Sequence, residues 1–294
     1  MEQIRIELPE VSLAALTWGP MESTKKSGKR PLAILLHGFP DTAHTWRHLG
    51  PVLADAGYRV VAPFMRGYAP SAVPADGSGD VAALVSDVLG IHRALDGGAD
   101  AIVVGHDWGA IATNALLAHD DNPFAKAVVM SVPPFTAVKP DPKILPRQMR
   151  NSWYIGFNRL PRLPERHHQR LVRYLWRTWS PGYDAEADLR SVFEAMSWEQ
   201  NRRQIFGYYR ALVSPFGPPP AYRRWKGAEM REPRMPMLYL HGTDDGCMDV
   251  RLAASSEPRL PEGSVLRLVE GTGHFLHLEK PAEVNAAIVG YLAS

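Results

Sequence analysis

Ala101-Ile-Val-Val-Gly-His-Asp-Trp-Gly-Ala110 decides the architecture of this 294-residue chain. It opens as a short apolar run with two valines and an isoleucine, the composition of a strand covered on both faces. A helical pattern follows over Ala110–His119. Between the two, Gly105-His106-Asp107-Trp108-Gly109 must turn the chain sharply. In such a turn, side chains at 105 and 109 would collide with neighbouring elements, and the central side chain is pushed above the sheet. The helix N-terminus that follows favours negative charge there. A carboxylate so placed can attack an electrophilic carbon and form an ester. An aspartate that merely caps a helix has the same local signature, so the choice rests on the rest of the chain.

Outward from this stretch, Leu32–Leu36, Tyr58–Ala62, Ala125–Met130, Met237–Leu240 and Val265–Val269 are expected to be further buried parallel strands. Ile4–Leu8 and Leu13–Trp18 are expected to pair antiparallel at the entry to the sheet. Asp80–Leu95 sets Val81, Leu84, Val85, Val88, Ile91 and Leu95 on one helical face behind Asp80 as N-cap. Ala282–Leu292, opened by Pro281, reads as a last helix. Strands alternating with helices predict an α/β fold with a mostly parallel, doubly wound sheet. The alternation stops over residues 133–234. Prolines flank that stretch (Pro133, Pro134, Pro140 and Pro142, then Pro215, Pro218, Pro219 and Pro220), and it holds helical segments at His168–Trp179 and Ala185–Arg210 crowded with Trp, Tyr and Arg. It reads as a helical insertion seated on a core formed by residues 1–132 and 235–294.

Further turns supply partners for Asp107. In His37-Gly-Phe-Pro40, after a strand, the Phe39 amide is expected to form one half of an oxyanion hole, with the Trp108 amide as the other. Pro40 cannot donate and stiffens the loop, and His37 is expected to bond within it. Gly242-Thr-Asp-Asp245 offers an acid. Asp245 fits the pattern best and Asp244 suits the turn, but the sequence leaves both open. Gly271-Thr-Gly-His274 offers the base, with His277 expected to pack or cap. Nucleophile, acid and histidine in this chain order match the α/β-hydrolase triad. His44 and His48 have the i, i+4 spacing of a zinc pair but lack the glutamate that follows the first histidine in metalloproteases. No metal or cofactor is expected.

Composition bounds the remaining choices. The chain is 45% hydrophobic and 22% charged, enough for a sizeable core and unlike a disordered protein. A net charge of +2 gives no strong pull toward nucleic acid or a membrane surface. Apolar runs fall short of the ~18 residues of a membrane span, and Met1–Glu7 has no signal-peptide pattern. A soluble cytoplasmic protein is expected. The single cysteine, Cys247, rules out an intrachain disulfide and reads as a small buried residue with no catalytic part. Arginine-rich cap helices would face solvent or a second subunit, which leaves a homodimer open.

Taken together, His37-Gly-Phe-Pro40, Arg66-Gly-Tyr68 with Ser71, Gly105-His-Asp-Trp-Gly109, Gly242-Thr-Asp-Asp245, and Gly273-His274 before Glu279-Lys-Pro281 resemble the epoxide hydrolase and haloalkane dehalogenase branch of the α/β-hydrolases. The resemblance implies a helical cap between the sixth and seventh strands, where the insertion falls. Haloalkane dehalogenases typically carry Asn after His-Gly, whereas Phe39-Pro40 has the epoxide hydrolase form. Fluoroacetate dehalogenases share His-Gly-Phe-Pro but typically have Arg where Trp108 stands. Ser152-Trp-Tyr-Ile-Gly-Phe157 and Gly207-Tyr-Tyr-Arg-Ala211 look like the two family cap segments, which implies Tyr154 and Tyr209 as ring-opening donors, with Tyr208 pointing elsewhere. Asn158-Arg159 depart from the Phe-Gln often found before Leu-Pro. The implied reaction adds water to a small-molecule epoxide through an ester on Asp107, with Phe39, Trp108, Tyr154 and Tyr209 contacting the substrate. A dehalogenase using the same aspartate is the alternative. Trp153, Trp176, Trp179 and Trp198 suggest an apolar cavity, at least half of them serving as cap core.

Overall fold

The computed structural model describes residues 1–21, 30–139 and 141–294. Pro140, in the proline-rich flank, lies outside them. Among the described residues eight strands form one sheet: β1 (Glu2–Glu7), β2 (Ser12–Trp18), β3 (Leu32–Leu36), β4 (Arg59–Pro63), β5 (Ile102–His106), β6 (Lys126–Met130), β7 (Leu238–Gly242) and β8 (Val265–Val269). Their order is β1-β2-β4-β3-β5-β6-β7-β8. The pairs β1–β2 and β2–β4 are antiparallel and all others parallel. Every residue of β3, β4, β5 and β7 is buried, as strands covered by helices on both faces must be. β8 departs from the expectation of burial. It pairs only with β7 at the sheet edge, and Val265 and Leu268 are exposed.

Helices α1 (Leu49–Asp55), α2 (Val81–Ala94) and α3 (Trp108–Leu117) cover the sheet before β6. The Asp80 carboxylate caps α2 by accepting from the Ala83 amide at 3.1 Å. α3 starts two residues earlier than the apolar pattern suggests, so no residue separates Asp107 from helical backbone. Between β6 and β7 lie α4 (Leu145–Asn151), α5 (Trp153–Asn158), α6 (Leu163–Trp179), α7 (Glu186–Ala195) and α8 (Glu199–Ala211). After β7 come α9 (Val250–Ser256), α10 (Leu276–Glu279) and α11 (Pro281–Ala293), the last opened by Pro281 as expected. No helix among the described residues is long and apolar enough to cross a membrane.

Two cap helices differ from their sequence pattern. α6 begins five residues before His168, with Pro164 in its first turn, where a missing N–H costs nothing. Ala185–Arg210 is two helices rather than one. The Ala195 carbonyl accepts the Ala69 amide of the core at 3.1 Å, and Trp198 is extended (φ −92°, ψ 145°), so the chain breaks and restarts. The insertion is bonded into the core at many points. Trp176 Nε1 donates to the Pro40 carbonyl at 2.8 Å, Asn201 Nδ2 to the Gly67 carbonyl at 2.7 Å, and Arg47 pairs with Asp188 at 2.6 Å.

Candidate active site

The turn after β5 puts Asp107 at φ 51°, ψ −115°, a conformation that strains any residue with a Cβ. Its glycines are there for space. A Cβ at 105 would run into the Gly109 carbonyl, and one at 109 into the Leu36 carbonyl. An aspartate opening a helix ordinarily caps it, but the Asp107 carboxylate makes no cap bond to α3. Instead Oδ1 accepts the Phe39 amide at 2.7 Å. Asp107 is only 4% exposed, so that amide binds its carboxylate in a nearly water-free setting. Gly38 allows the approach, since a Cβ there would strike both the Asp107 side chain and the Trp108 amide nitrogen. His37 serves the loop. Its Nε2 accepts the Met65 amide at 3.0 Å, so Nδ1 carries the proton toward the Gly38 carbonyl at 2.9 Å, and burial pulls its pKa down to about 4.

His274 stands across from this carboxylate. Its Nδ1 pairs with Asp245 Oδ2 at 2.9 Å, and its Nε2, which has no hydrogen-bond partner, lies 3.6 Å from Asp107 Oδ2. The other Asp245 oxygen accepts the amides of Cys247 at 2.6 Å and Met248 at 3.0 Å. Asp244 is exposed, and its amide holds the Thr272 carbonyl at 2.8 Å, so it shapes the turn and Asp245 meets the histidine. Burial alone would lower the His274 pKa, but the carboxylates of Asp245 and Asp107 override it and push it up to about 10. His277 does not enter the site. It stacks on Trp46 and shares a 2.5 Å hydrogen bond with Thr45.

The cap completes the enclosure. Tyr154 on α5 and Tyr209 on α8 meet edge to face with ring centroids 5.9 Å apart, and both are buried. Tyr209 packs on Phe39 and on Trp108, each at 5.2 Å. Its hydroxyl lies near Trp108 and Asn158 without a hydrogen-bond partner. The Tyr154 hydroxyl instead meets Cys247 Sγ at 3.4 Å. Tyr208 turns away and donates to the Arg66 carbonyl at 2.8 Å. Burial, with Asp107 nearby, raises both site phenols well above the usual tyrosine range, so each keeps its proton. Of Trp153, Trp176, Trp179 and Trp198, only Trp179 sits at the site, 4.8 Å from both Tyr154 and His274. Trp176 stacks on Phe275 in the core, while Trp153 and Trp198 are exposed. The aromatic side chains gathered around Asp107 and His274 are Phe39, Trp108, Trp179 and the two tyrosines.

Some supporting residues carry little sequence signal. His106 Nε2 and Ser131 Oγ both bond the His274 carbonyl, and the Trp179 carbonyl accepts the His274 amide at 2.9 Å. Glu279 accepts the Gly273 amide and the Ser180 hydroxyl. The Glu279–Gly273 bonds span only six residues, but the others join segments far apart in the chain, so no local pattern reveals them. Cys247 was expected to be bland packing, yet its thiol touches a site tyrosine. Among the described residues, two buried groups bring three possible metal-ligand atoms within 4.8 Å of one another: Asp41, His106 and His277, and Asp245, Cys247 and His274. His44 joins neither and rests edge-on to Phe64.

Residues 31–281 match the family model described as alpha/beta hydrolase fold. The AB hydrolase superfamily protein YfhM of Bacillus subtilis is 29% identical across 89% of this chain and 90% of its own. Epoxide hydrolase A of Mycobacterium tuberculosis is 32% identical across 89% of this chain and 90% of its own. The crystal structure of epoxide hydrolase A from Mycobacterium thermoresistibile superposes with a TM-score of 0.75 at 24% identity, covering 100% of this chain and 98% of that one, which bears on the fold alone. By its family match, its sheet with an inserted cap and its relatives, the chain belongs to the α/β-hydrolase fold family, in the branch that holds the epoxide hydrolases.

Proposed function

We propose that this protein is an epoxide hydrolase that forms a covalent ester on Asp107. The observation that carries the reading is the placement of one buried carboxylate, with Oδ1 on the Phe39 amide and Oδ2 facing His274, in the same enclosure as two protonated phenols. The relationship to the M. tuberculosis epoxide hydrolase supports it. In this reading residues 133–234 form the cap, residues 1–132 and 235–294 the core, and no metal or cofactor takes part.

Asp107 attacks an epoxide carbon. The C–O bond on the far side breaks as its oxygen takes hydrogen bonds from Tyr154 and Tyr209 and then a proton. A phenol is suited to this because it remains a donor at neutral pH. Esterification removes the negative charge of Asp107, one of the two charges that hold His274 protonated. The His274 pKa therefore falls, and the proton it sheds through solvent balances the one taken by the alkoxide. Neutral His274, oriented by Asp245, next takes a proton from water, and the resulting hydroxide attacks the ester carbonyl. The Phe39 and Trp108 amides stabilise the oxyanion, a contribution of about 3 kcal/mol per donor in comparable sites. Release of the vicinal diol restores the carboxylate and the imidazolium, so protons balance over the cycle.

The test is chemical. Styrene oxide should give phenylethanediol, and His274→Gln should accumulate an adduct of one epoxide mass on the peptide containing Asp107. Diol formation by that variant with unlabelled protein, or halide release from 1-bromobutane with no diol from any epoxide, would overturn the reading. A detoxifying role belongs to this reading, and a cytoplasmic location is supported by a single buried thiol without a disulfide partner. The low net charge favours a small-molecule substrate over nucleic acid. Trp153, Leu163 and Tyr174 form an exposed apolar patch on the cap that supports a homodimer, which light scattering would reveal.

A further inference from the structure

Residue 247 joins three parts of the site. Its amide donates to Asp245 Oδ1 at 2.6 Å, its carbonyl accepts Gln148 Nε2 of α4 at 2.9 Å, and its Sγ lies 3.4 Å from the Tyr154 hydroxyl. The Gln148 side chain closes the junction by accepting the Asp249 amide at 2.9 Å. Cys247 is thus held to the acid loop and to the cap at once, and it is buried and free of any disulfide. The two site tyrosines are not equivalent beside it. Among the described residues the Tyr209 hydroxyl, near Trp108 and Asn158, makes no hydrogen bond, whereas the Tyr154 hydroxyl has the thiol.

We propose that Cys247 is a positioning residue for ring opening: its S–H donates to the phenol oxygen of Tyr154 and leaves the Tyr154 O–H aimed at the epoxide oxygen. The direction of the bond follows from counting protons. A phenol has one hydrogen. If Tyr154 spent it on sulfur, the epoxide oxygen would be left with Tyr209 alone. Burial beside Asp245 and Asp107 keeps the thiol protonated, so a donor is available on the sulfur side. As the Tyr154 O–H bonds the developing alkoxide, its oxygen becomes a stronger acceptor and the S–H contact tightens, so the thiol acts mainly in the transition state. The contact is a weak hydrogen bond, and its effect is correspondingly small.

The inference rests on the epoxide hydrolase reading above and on the role given there to Tyr154. The test is single-turnover kinetics with styrene oxide on the full chain, comparing the parent with C247A, C247S, Y154F and Y154F/C247A. Loss of one such bond should slow alkylation by about 3- to 10-fold in C247A. Ester hydrolysis, which does not use Tyr154, should stay within about 2-fold. C247S restores a donor on a shorter arm and should recover part of the loss. The deciding comparison is the double variant. If Cys247 acts through the Tyr154 hydroxyl, C247A should add nothing to Y154F. An equal slowing by C247A with and without that hydroxyl would show a merely structural role and sink the inference, as would an unchanged alkylation rate in C247A. If Y154F itself alkylates at the parent rate, the tyrosine assignment fails instead, and the two failures are distinguishable. Should C247A fold poorly, C247V, which also lacks a donor and nearly keeps the volume of the thiol, gives the same comparison in both backgrounds.

Discussion

At the scale of single residues, the site depends on where a few protons sit. Tyr154 and Tyr209 both face the enclosure, and replacing either by Phe removes one hydroxyl and almost no volume. Loss of one hydrogen bond to developing charge, roughly 1.5–4 kcal/mol, should slow alkylation about 10- to 10³-fold, with the double substitution nearly abolishing it. Pre-steady-state kinetics separates this step from ester hydrolysis, which should change far less. His274 makes a second expectation. Its folded pKa is raised to about 10 from an ordinary 6.5 by Asp245 and Asp107. The folded state therefore holds a proton that the unfolded state releases between these values. The resulting stability is fully present below pH 6.5 and is lost as pH rises toward 10. Urea unfolding across this range should show the parent losing stability faster than His274→Gln. Parallel curves would mean that the imidazolium is not held as described.

At the scale of elements, the elbow is the most exacting piece of backbone. Gly109 on α3 packs against the Leu36 carbonyl, backbone that cannot swing aside. Gly109→Ala should therefore cost about 3 kcal/mol or more, and any protein that folds should have lost ester formation through displacement of Asp107. Gly290, inside α11, has open space where a Cβ would go. Gly290→Ala should stabilise by roughly 0.5–1 kcal/mol, because only the helix-propensity gain remains. Thermal melts of the two variants should move in opposite directions. The break between α7 and α8 has a different cause: a core amide captures the Ala195 carbonyl, and the helix stops there.

At the scale of the whole molecule, a buried ion pair within the core anchors contacts to the cap. Arg66 is fully buried and bonds Asp87 of α2 through Nε at 2.7 Å and Nη2 at 2.6 Å. Its Nη1 reaches the Ser78 carbonyl, its guanidinium lies over the Tyr222 ring, and its own carbonyl takes the Tyr208 hydroxyl from α8. Removing one partner leaves an uncompensated charge in the interior. Asp87→Ala should lower stability by about 3–5 kcal/mol and loosen the seating of α8, and with it Tyr209. Chemical denaturation measures the first effect, and a rise in KM for styrene oxide the second. An Asp87→Ala protein of parent stability would contradict the role given to the pair.

The sheet is legible in the chain's apolar runs alone. Strands buried on both faces must be apolar throughout, and Gly105 and Gly109 are demanded by a backbone turn that tolerates nothing larger, so these features are written in short stretches. The positions of Asp107, Phe39 and His274 followed for the same reason, each standing in the turn that follows a strand. β8 is apolar apart from Arg267 at its centre, and its place at the sheet edge leaves that side chain, Val265 and Leu268 exposed. Asp244 and Asp245 are alike in sequence, and what separates them is that one faces water and the other His274. The fate of Ala185–Arg210 depended on the Ala69 amide more than a hundred residues away. The contact of Cys247 with Tyr154, the bonds of His106 and Ser131 to the His274 carbonyl, and the placing of Trp179 rather than another cap tryptophan at the site likewise follow from how distant parts of the tertiary structure meet. Hydrogen bonds between distant segments depend on how cap and sheet are brought together, and no local periodicity encodes that.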